Sequence, residues 1–509
     1  MSNKERFFAR MAEEFLTLAF RDVRLKTAYS NVAPTEAKTS TRFSRNIGLK
    51  IPIASAAMDS VTEAEMGIAM GLAGGIGIIH RNMPLEAQVS MVNKVKLYLN
   101  GCIHKPICFR ESDTMESVRD RIAQKGYTFG TYPVIDQNGK LVGLLTRNDF
   151  RFCNDLRLTV SAVMTPFNKV LTALPDTSLI GAHEIMRVNK DKVLLLLNSD
   201  GSIAGMYVYT DVDRIITNSH ESYNVDSAGH LRVGAAIGTS NEDIIRAQAL
   251  AEKSIDALVI DTAHGDSSKV YETLKILKKE LGDKVDIVVG NVSQGDSAER
   301  LAEAGADAIK VGQGPGSICT TRIIAGVGRP QVSAIYSCSE AVRRFNIPII
   351  ADGGISYSGD ITIAIGAGAD SVMMGGLLAG TDEAPGEIIT INGVPSKRYR
   401  GMGSLGAMKE SQASRSRYSQ PETRGNQALD TKLVPEGIEG TVPYRGPVSA
   451  ILFQHVGGLR SGMGYIGAST IAELQSKAEF ERITASGFEE STPHGIDNIV
   501  DAPNYTKGR

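Results

Sequence analysis

One cysteine stands in the run Gly312-Gln313-Gly314-Pro315-Gly316-Ser317-Ile318-Cys319-Thr320-Thr321-Arg322, directly after the apolar stretch Ala308–Val311. Glycine carries no Cβ, so a loop of this composition lets backbone approach a ligand closely. Ser317 and Thr321 place hydroxyls on either side of the sulfur. A thiol presented in this way is a candidate nucleophile. Without those neighbours Cys319 would read as a small apolar core residue, the usual state of a free cysteine. The glycine pairs Gly353-Gly354 and Gly375-Gly376 and the stretch 314–317 form a second set. Loops of this kind offer backbone N–H groups to a phosphate, and several together imply a phosphorylated ligand. Gly401-Met402-Gly403-Ser404-Leu405-Gly406 fits a dinucleotide fingerprint literally. It follows no clear strand and lacks the acidic residue about 20 positions on, so a Rossmann site is not expected there.

These residues need a scaffold. Short apolar runs at 51–55, 75–80, 232–237, 257–261, 286–290, 308–312, 348–352 and 371–375 read as buried parallel strands. Helical patterns at 241–253, 268–281 and 297–304 separate several of them. Strands alternating with helices imply βα units, and this number of units predicts an α/β fold, a (β/α)8 TIM barrel. The active site of such a barrel lies at the C-terminal ends of its strands. Asp261, Asn291, Asp352, Gly375 and Gly376 end their runs, Ser55 and Met58 end or follow the first, and Cys319 follows the sixth. An open doubly wound sheet also alternates, but runs that end in, or lead directly into, glycine or polar residues fit a closed ring better.

Residues 98–228 differ in character and contain an approximate repeat. Each copy is a hairpin with an Asn-Gly or Asp-Gly turn signal, at Asn138-Gly139 and Asp200-Gly201. Each is followed by Thr-x-x-Asp: Thr146 with Asp149, and Thr210 with Asp213. The insert resembles a tandem pair of CBS modules, an α+β regulatory domain. That resemblance implies adenine or guanine nucleotides as ligands, with the Thr and Asp holding hydroxyl and ribose. The domains expected are therefore a catalytic barrel from 1–97 and 229–509, and a regulatory pair over 98–228.

Composition narrows the classes further. The chain has 509 residues, formal net charge −2 and no Trp. A nucleic-acid surface would want a basic stripe with stacking aromatics, so none is expected. The five cysteines are irregularly spaced and contain no CxxC, which disfavours a disulfide framework or zinc site and favours a reducing cytoplasm. No apolar run reaches the roughly 18 residues of a membrane span, and no signal-peptide pattern opens the chain. Phe7, Phe8, Met11, Phe15 and Leu16 have helical spacing and predict an arm docked on the body or on a subunit. The polar segment 401–443 reads as either a disordered stretch or a functional lid, and 481–509 as a tail, free or pinned to a neighbour.

Taken in order, GSICTTR (316–322), ADGGI (351–355), GNV (290–292), YRGMGSLGAM (399–408), Arg417-Tyr418 and KLVPEGIEG (432–440) resemble the inosine-5′-monophosphate dehydrogenase family over nearly the whole chain. The resemblance implies oxidation of IMP to XMP with NAD, the first committed step of guanine nucleotide synthesis. Cys319 would attack carbon-2 of the purine, hydride would pass to NAD, and water would hydrolyse the thioimidate. A flap at about 409–431 would replace NADH, with Arg417 beside Tyr418 activating the water and Thr321 offering a second proton route. Arginine is ordinarily protonated, with a pKa above ~12, so that role needs a site that stabilises the neutral form or relays the proton.

The same resemblance assigns Asp352 to the ribose of IMP. It gives Ser317, Gly354, Gly375, Gly376 and Tyr399 to the phosphate, and Met402, Gly403 and Glu436 to the base. Ser55, Met58, Asn291, Gly353 and Gly401 complete the IMP set. Asp261, Thr262, Asn291, Gly312 and Gly314 form the NAD set. Potassium would take carbonyls of Gly314, Gly316 and Cys319, with Glu490, Ser491 and Thr492 of a neighbouring tail. A homotetramer is the implied assembly, with pairing into an octamer through the insert left open. Gly375-Gly376 replaces a common Gly-Ser, and Ala19-Phe20-Arg21-Asp22-Val23 replaces Thr-Phe-Asp-Asp-Val. The rival readings are an NADPH-dependent GMP reductase, which should lack water-activating flap residues, and an idle CBS nucleotide sensor, which should have lost Cys319, Thr321, Asp352 or Arg417.

Overall fold

Eight parallel strands close into a barrel in the computed structural model of the chain. The structure describes all residues except 100, 126, 128, 218–221, 421–432, 497–499, 501 and 506–509. The barrel strands are β1 (Ile53–Ser55), β2 (Ile76–Ile79), β3 (Val233–Ile237), β4 (Ala257–Asp261), β5 (Asp286–Val292), β6 (Ala308–Val311), β7 (Ile349–Asp352) and β8 (Ser371–Met374). Consecutive strands pair in parallel, β8 pairs with β1 through Val372 and Ile53, and β2 closes on β3 through Gly77 and Val233. Strands covered on both faces carry nearly continuous apolar residues. That is why the apolar runs were legible as strands.

Every strand sends at least one side chain into the central core. It contains Ala54, Ile78, Ala236, Val259, Val288, Ala308, Ile350 and Met373. Phe43, Ile47 and Leu49 belong to the same core. Their hairpin is tied to the start of β5 by Asp286, which accepts from the Ser44 hydroxyl (2.5 Å) and the Asn46 N–H (2.8 Å). The opposite end is left for the site.

The connecting helices are set by local chemistry. Ser240 caps the helix Asn241–Ala251 by accepting from the Asp243 N–H, while the Asp243 carboxylate accepts from Ser240. Such a reciprocal capping box satisfies two donors that a helix start leaves orphaned. At the N-terminus the helix Asn3–Glu13 buries Phe8 and Met11, and Phe8 stacks on Tyr336 at 3.8 Å. Phe15 departs from the expected apolar face. It lies beyond the helix at φ 56° and is 95% exposed, because the chain has already turned. The segment after 480 is also less tail-like than its polarity suggested: Phe480–Arg482 pairs with Val23–Leu25, and the helix Ala485–Glu490 follows.

The chain divides into two compact units, one of residues 1–96, 222–224 and 231–509, the other of 97–221 and 225–230. In the second unit the hairpins Thr131–Ile135/Leu141–Thr146 and Val193–Leu197/Ile203–Val208 each pair antiparallel with one irregularity of register. Each lies in its own sheet. Leu141 and Leu144 of one hairpin share a core with Val193, Leu195 and Met206 of the other. Neither hairpin has to bury its apolar face alone.

Candidate active site

A cavity of about 1130 Å³ opens at the C-terminal ends of the barrel strands. Its walls include Met58 after β1, Asp261 of β4, Asn291 of β5, Lys310 and the 312–319 loop of β6, Asp352–Ser356 after β7 and Gly375-Gly376 after β8. This volume exceeds the roughly 300–1,000 Å³ of a single small-molecule site. It has room for a nucleotide and part of a second ligand.

Cys319 is half-buried on this wall, and its thiol donates to the Thr321 hydroxyl at 3.2 Å. Its loop is held by backbone. The Cys319 N–H donates to the Gly316 carbonyl, the Thr320 N–H to Glu436 and the Ile438 N–H to Ile318, each at 3.0 Å. The 436–438 strip is held in turn by 401–403, with Glu436 N–H donating to Gly403 and Gly401 N–H to Ile438, both at 3.0 Å. Three segments far apart in sequence thus fix the sulfur. Gly312 starts the loop at φ 150°, where a Cβ would lie 2.1 Å from the Asp352 carbonyl, so only glycine fits.

Beneath the cysteine lies a buried charge cluster. Lys310, 2% exposed, donates to Asp261 Oδ1 (2.9 Å), to Asp352 Oδ2 (2.7 Å) and to Asn291 Oδ1. Asn291 Nδ2 donates to Asp352 Oδ2 (2.8 Å) and to the Gly312 carbonyl (2.7 Å). A buried cation that meets two carboxylates and an amide oxygen satisfies the pairing that burial demands. One oxygen of each aspartate is thereby occupied and its orientation fixed. The other Asp261 oxygen meets the Arg417 guanidinium.

Arg417 comes from the segment 401–420, which forms the helices Leu405–Glu410 and Gln412–Arg417. The remainder of the expected flap, 421–431, lies outside the described residues. The Arg417 side chain is 15% exposed. Burial pulls its guanidinium below its ordinary value; the adjacent Tyr418 opposes the shift and the Arg81 cation adds to it. Burial also raises the Tyr418 phenol. The Tyr418 ring covers Gly403, where a Cβ would sit 2.6 Å from the ring.

At the other end Tyr399 is buried and its phenol is pushed up to about 12, chiefly by burial, with a hydrogen bond to Ser317 acting against the rise. Gly375 and Gly376 face it: a Cβ on either would meet the Tyr399 ring or hydroxyl within 3.4 Å. The exposed Ser317 and the glycines of 353–354 line the same cavity.

Most residues expected at the site therefore converge: Met58, Asp261, Asn291, Gly312, Gly314, Gly316, Ser317, Cys319, Asp352, Gly353, Gly354, Gly375, Gly376, Tyr399, Gly401, Met402, Arg417, Tyr418 and Glu436 line one cavity. Ser55 and Thr262 are not among the lining residues. Ser55 is fully buried and accepts from Thr62 (2.9 Å), and Thr262 donates to the Gly290 carbonyl (2.9 Å). Thr321 reaches the site through Cys319, and Gly403 lies behind Tyr418. Glu490 is exposed, and the Ser491 and Thr492 hydroxyls donate back to Gly487 and Glu489 of their own helix. Among the described residues no hydrogen bond joins them to the cysteine loop. In the insert Thr146 and Asp149 satisfy each other as a helix cap, and Asp213 pairs with His183 at 2.9 Å, while Thr210 is exposed.

Sequence reasoning missed Lys310, Arg21, Arg445 and His455, which also line the cavity, and Arg81 and Asn82 beside the flap. Lys310 did carry a signal: it is the one charge within an otherwise apolar strand.

Residues 17–494 match the family model described as IMP dehydrogenase / GMP reductase domain. The chain belongs to this family. It is 48% identical over 490 residues to an inosine-5′-monophosphate dehydrogenase of Aquifex aeolicus, covering 96% of this chain and 97% of that one. An inosine-5′-monophosphate dehydrogenase of Helicobacter pylori is 47% identical over 488 residues, covering 96% and 98%. Among solved structures, a GMP reductase of Trypanosoma brucei in complex with guanosine 5′-monophosphate aligns with a TM-score of 0.82 at 39% identity, covering 94% of this chain and 98% of that one.

Proposed function

We propose that the chain oxidises IMP to XMP with NAD and water, releasing NADH and a proton. The observation that carries this reading is the placement of Arg417 and Tyr418 on the cavity that holds Cys319, with Arg417 on Asp261. A hydrolytic step needs a group that takes a proton from water; a reductive deamination must keep that group away.

Cys319 is the nucleophile. Its proton passes toward Thr321, and the thiolate adds to carbon-2 of the base held by Met402, Gly403 and Glu436. NAD, when bound, accepts the hydride from that carbon. Asp352 holds the ribose, while Ser317, Tyr399 and the glycine pairs take the phosphate, with Arg21 and Arg445 adding positive charge to the same cavity. Water then attacks the thioimidate, its proton leaves toward Arg417 or Thr321, and the C–S bond breaks to release XMP. Burial and Arg81 push Arg417 toward the neutral state that a base requires, against the opposing pull of Tyr418 and of the Asp261 carboxylate.

The donor set fits the cofactor. Asp261 offers a carboxylate at the wall with one oxygen fixed by Lys310 and the other on Arg417. A cofactor ribose on Asp261 and Arg417 on Asp261 exclude each other, which orders the two half-reactions. Potassium fits less fully. The Gly316 carbonyl spends one lone pair on Cys319 N–H and keeps another, and Gly314 and Cys319 offer further carbonyls; a neighbour's 490–492 would complete the set. The tetramer, possible pairing to an octamer through the insert, purine nucleotides at a CBS pair and a cytoplasmic setting belong to the same proposal. Among the described residues no helix is long and apolar enough to cross a membrane.

A GMP reductase is the second reading, favoured by the similarity to the Trypanosoma brucei enzyme over nearly its whole length. The two are separated by mass spectrometry of enzyme quenched in acid during turnover with IMP and NAD. An XMP-sized adduct on Cys319, absent in Cys319→Ala, supports the dehydrogenase. No adduct with IMP, together with consumption of GMP and NADPH, overturns it.

A further inference from the structure

The loop after β2, His80-Arg81-Asn82, grips the helix that carries Arg417. Asn82 Nδ2 lies 2.8 Å from the Ser414 hydroxyl, and Asn82 Oδ1 accepts from Ser411 at 3.0 Å. The Ser414 hydroxyl also reaches Asn82 Oδ1 at 3.2 Å, so it faces both ends of the amide. Arg81 Nη1 donates to the Ser416 hydroxyl at 3.1 Å.

The grip is built on fixed ground. Asn82 Nδ2 also donates to Asp59 Oδ2 (3.0 Å), and the Asn82 N–H donates to His80 Nδ1 (3.0 Å). Asp59 is paired with Arg400 at 2.8 Å, and Arg400 continues to Glu410 at 2.7 Å. Ser414 is fully buried and Arg81 is 6% exposed, so these contacts are shielded from water. One turn further on, the Arg417 carbonyl accepts from the Ala263 N–H (3.1 Å), at the loop after β4. Hydrogen bonds at 411, 414 and 416 therefore set where Arg417 arrives. Neither Asn82 nor Ser414 lines the cavity.

We propose that Asn82 is the latch of the flap: a positioning residue that, through Ser411 and Ser414, sets the balance between a closed state with Arg417 on Asp261 and an open state in which Asp261 is free for the cofactor. The proposal rests on the hydrolytic reading above. Linkage gives it a signature. Closed flap and cofactor compete for Asp261, so weakening the latch by some factor strengthens cofactor binding to the covalent adduct by the same factor. Loss of the amide's bonds to both serines should shift closing by about tenfold. The first half-reaction uses the open state and should not change.

The test is a pre-steady-state and steady-state comparison of wild type, Asn82→Ala, Ser414→Ala and the double variant, on the full-length enzyme with IMP and NAD. Asn82→Ala should keep the NADH burst in rate and amplitude. Its steady-state turnover should fall by up to about tenfold, and inhibition by excess NAD should set in at about tenfold lower concentration. Ser414→Ala should move both quantities the same way, and the double variant should exceed Asn82→Ala by less than twofold, because the two residues act through one contact. An unchanged NAD inhibition constant with an intact burst overturns the latch. A lost burst in Asn82→Ala also overturns it, since Asn82 would then serve the first half-reaction. If Asn82→Ala does not fold, Ser414→Ala, which removes only a hydroxyl, carries the test. Absence of a burst in wild type would instead strike the hydrolytic reading itself.

Discussion

Replacing Gly403 with alanine is a local way to disturb the flap. The new Cβ would lie 2.6, 2.9 and 3.0 Å from three atoms of the Tyr418 side chain, the first about 0.8 Å inside the 3.4 Å lower limit of ordinary contact. Gly403 is not among the left-handed glycines, so alanine meets no backbone penalty there. The barrel need not move; the Tyr418 ring must retreat by about 1 Å, and Arg417 is its neighbour. A misplacement of that size in a reacting group costs on the order of 10²-fold in rate. The expected result is a normal first burst of NADH, turnover reduced by about 10²-fold and Cys319 adduct accumulating in acid quench. Turnover within twofold of wild type would refute the claim that Tyr418 must sit over Gly403 for hydrolysis. Loss of the burst would show that the base-binding side of Gly403, and not the flap, had been damaged.

Other perturbations separate the remaining roles. Cys319→Ala should abolish turnover and adduct while IMP binding, followed by calorimetry, persists. Arg417→Ala should retain hydride transfer but slow hydrolysis by roughly 10²–10⁴-fold, the usual contribution of a positioned base, read from burst and steady-state NADH formation. Lys310→Met should destabilise the barrel by about 3–5 kcal/mol, because it removes the buried cation that joins Asp261 to the half-buried Asp352 and leaves Asp352 without an ion-pair partner; chemical denaturation measures it. Tyr399 titrates near 12 against an ordinary value of 10. The folded state therefore holds its proton after the unfolded state has lost it, and stability contributed by neutral Tyr399 is present below pH 10 and lost as pH rises from about 10 to 12. Tyr399→Phe should lose less stability over that window, and phenolate absorbance should show one late-titrating tyrosine fewer.

The barrel was legible because parallel strands covered on both sides must be apolar throughout, and seven of the eight runs ended at a polar or glycine residue, with Gly238 directly after the other. The cysteine loop was legible for a related reason: Gly312 can only be glycine where its neighbour approaches so closely. What stayed hidden was pairing across the barrel. Lys310 appeared as an interruption of an apolar strand, but its partners Asp261 and Asp352 lie 49 and 42 residues away. Asn82 meets Ser411 and Ser414 more than 300 residues on, and nothing in its local sequence points to them. Local pattern reports which face a residue occupies; it does not report what stands opposite. Phe15 shows the converse, since its spacing fits a helix that ends before reaching it.

The central claim is that this cavity performs oxidation followed by hydrolysis. Its most direct measurement is nicotinamide absorbance for purified protein given IMP, NAD and potassium, beside the same protein given GMP and NADPH. NADH should form with IMP, and no NADPH should be consumed with GMP. NADPH consumption with GMP and silence with IMP would contradict it and remove the water-activating role from Arg417.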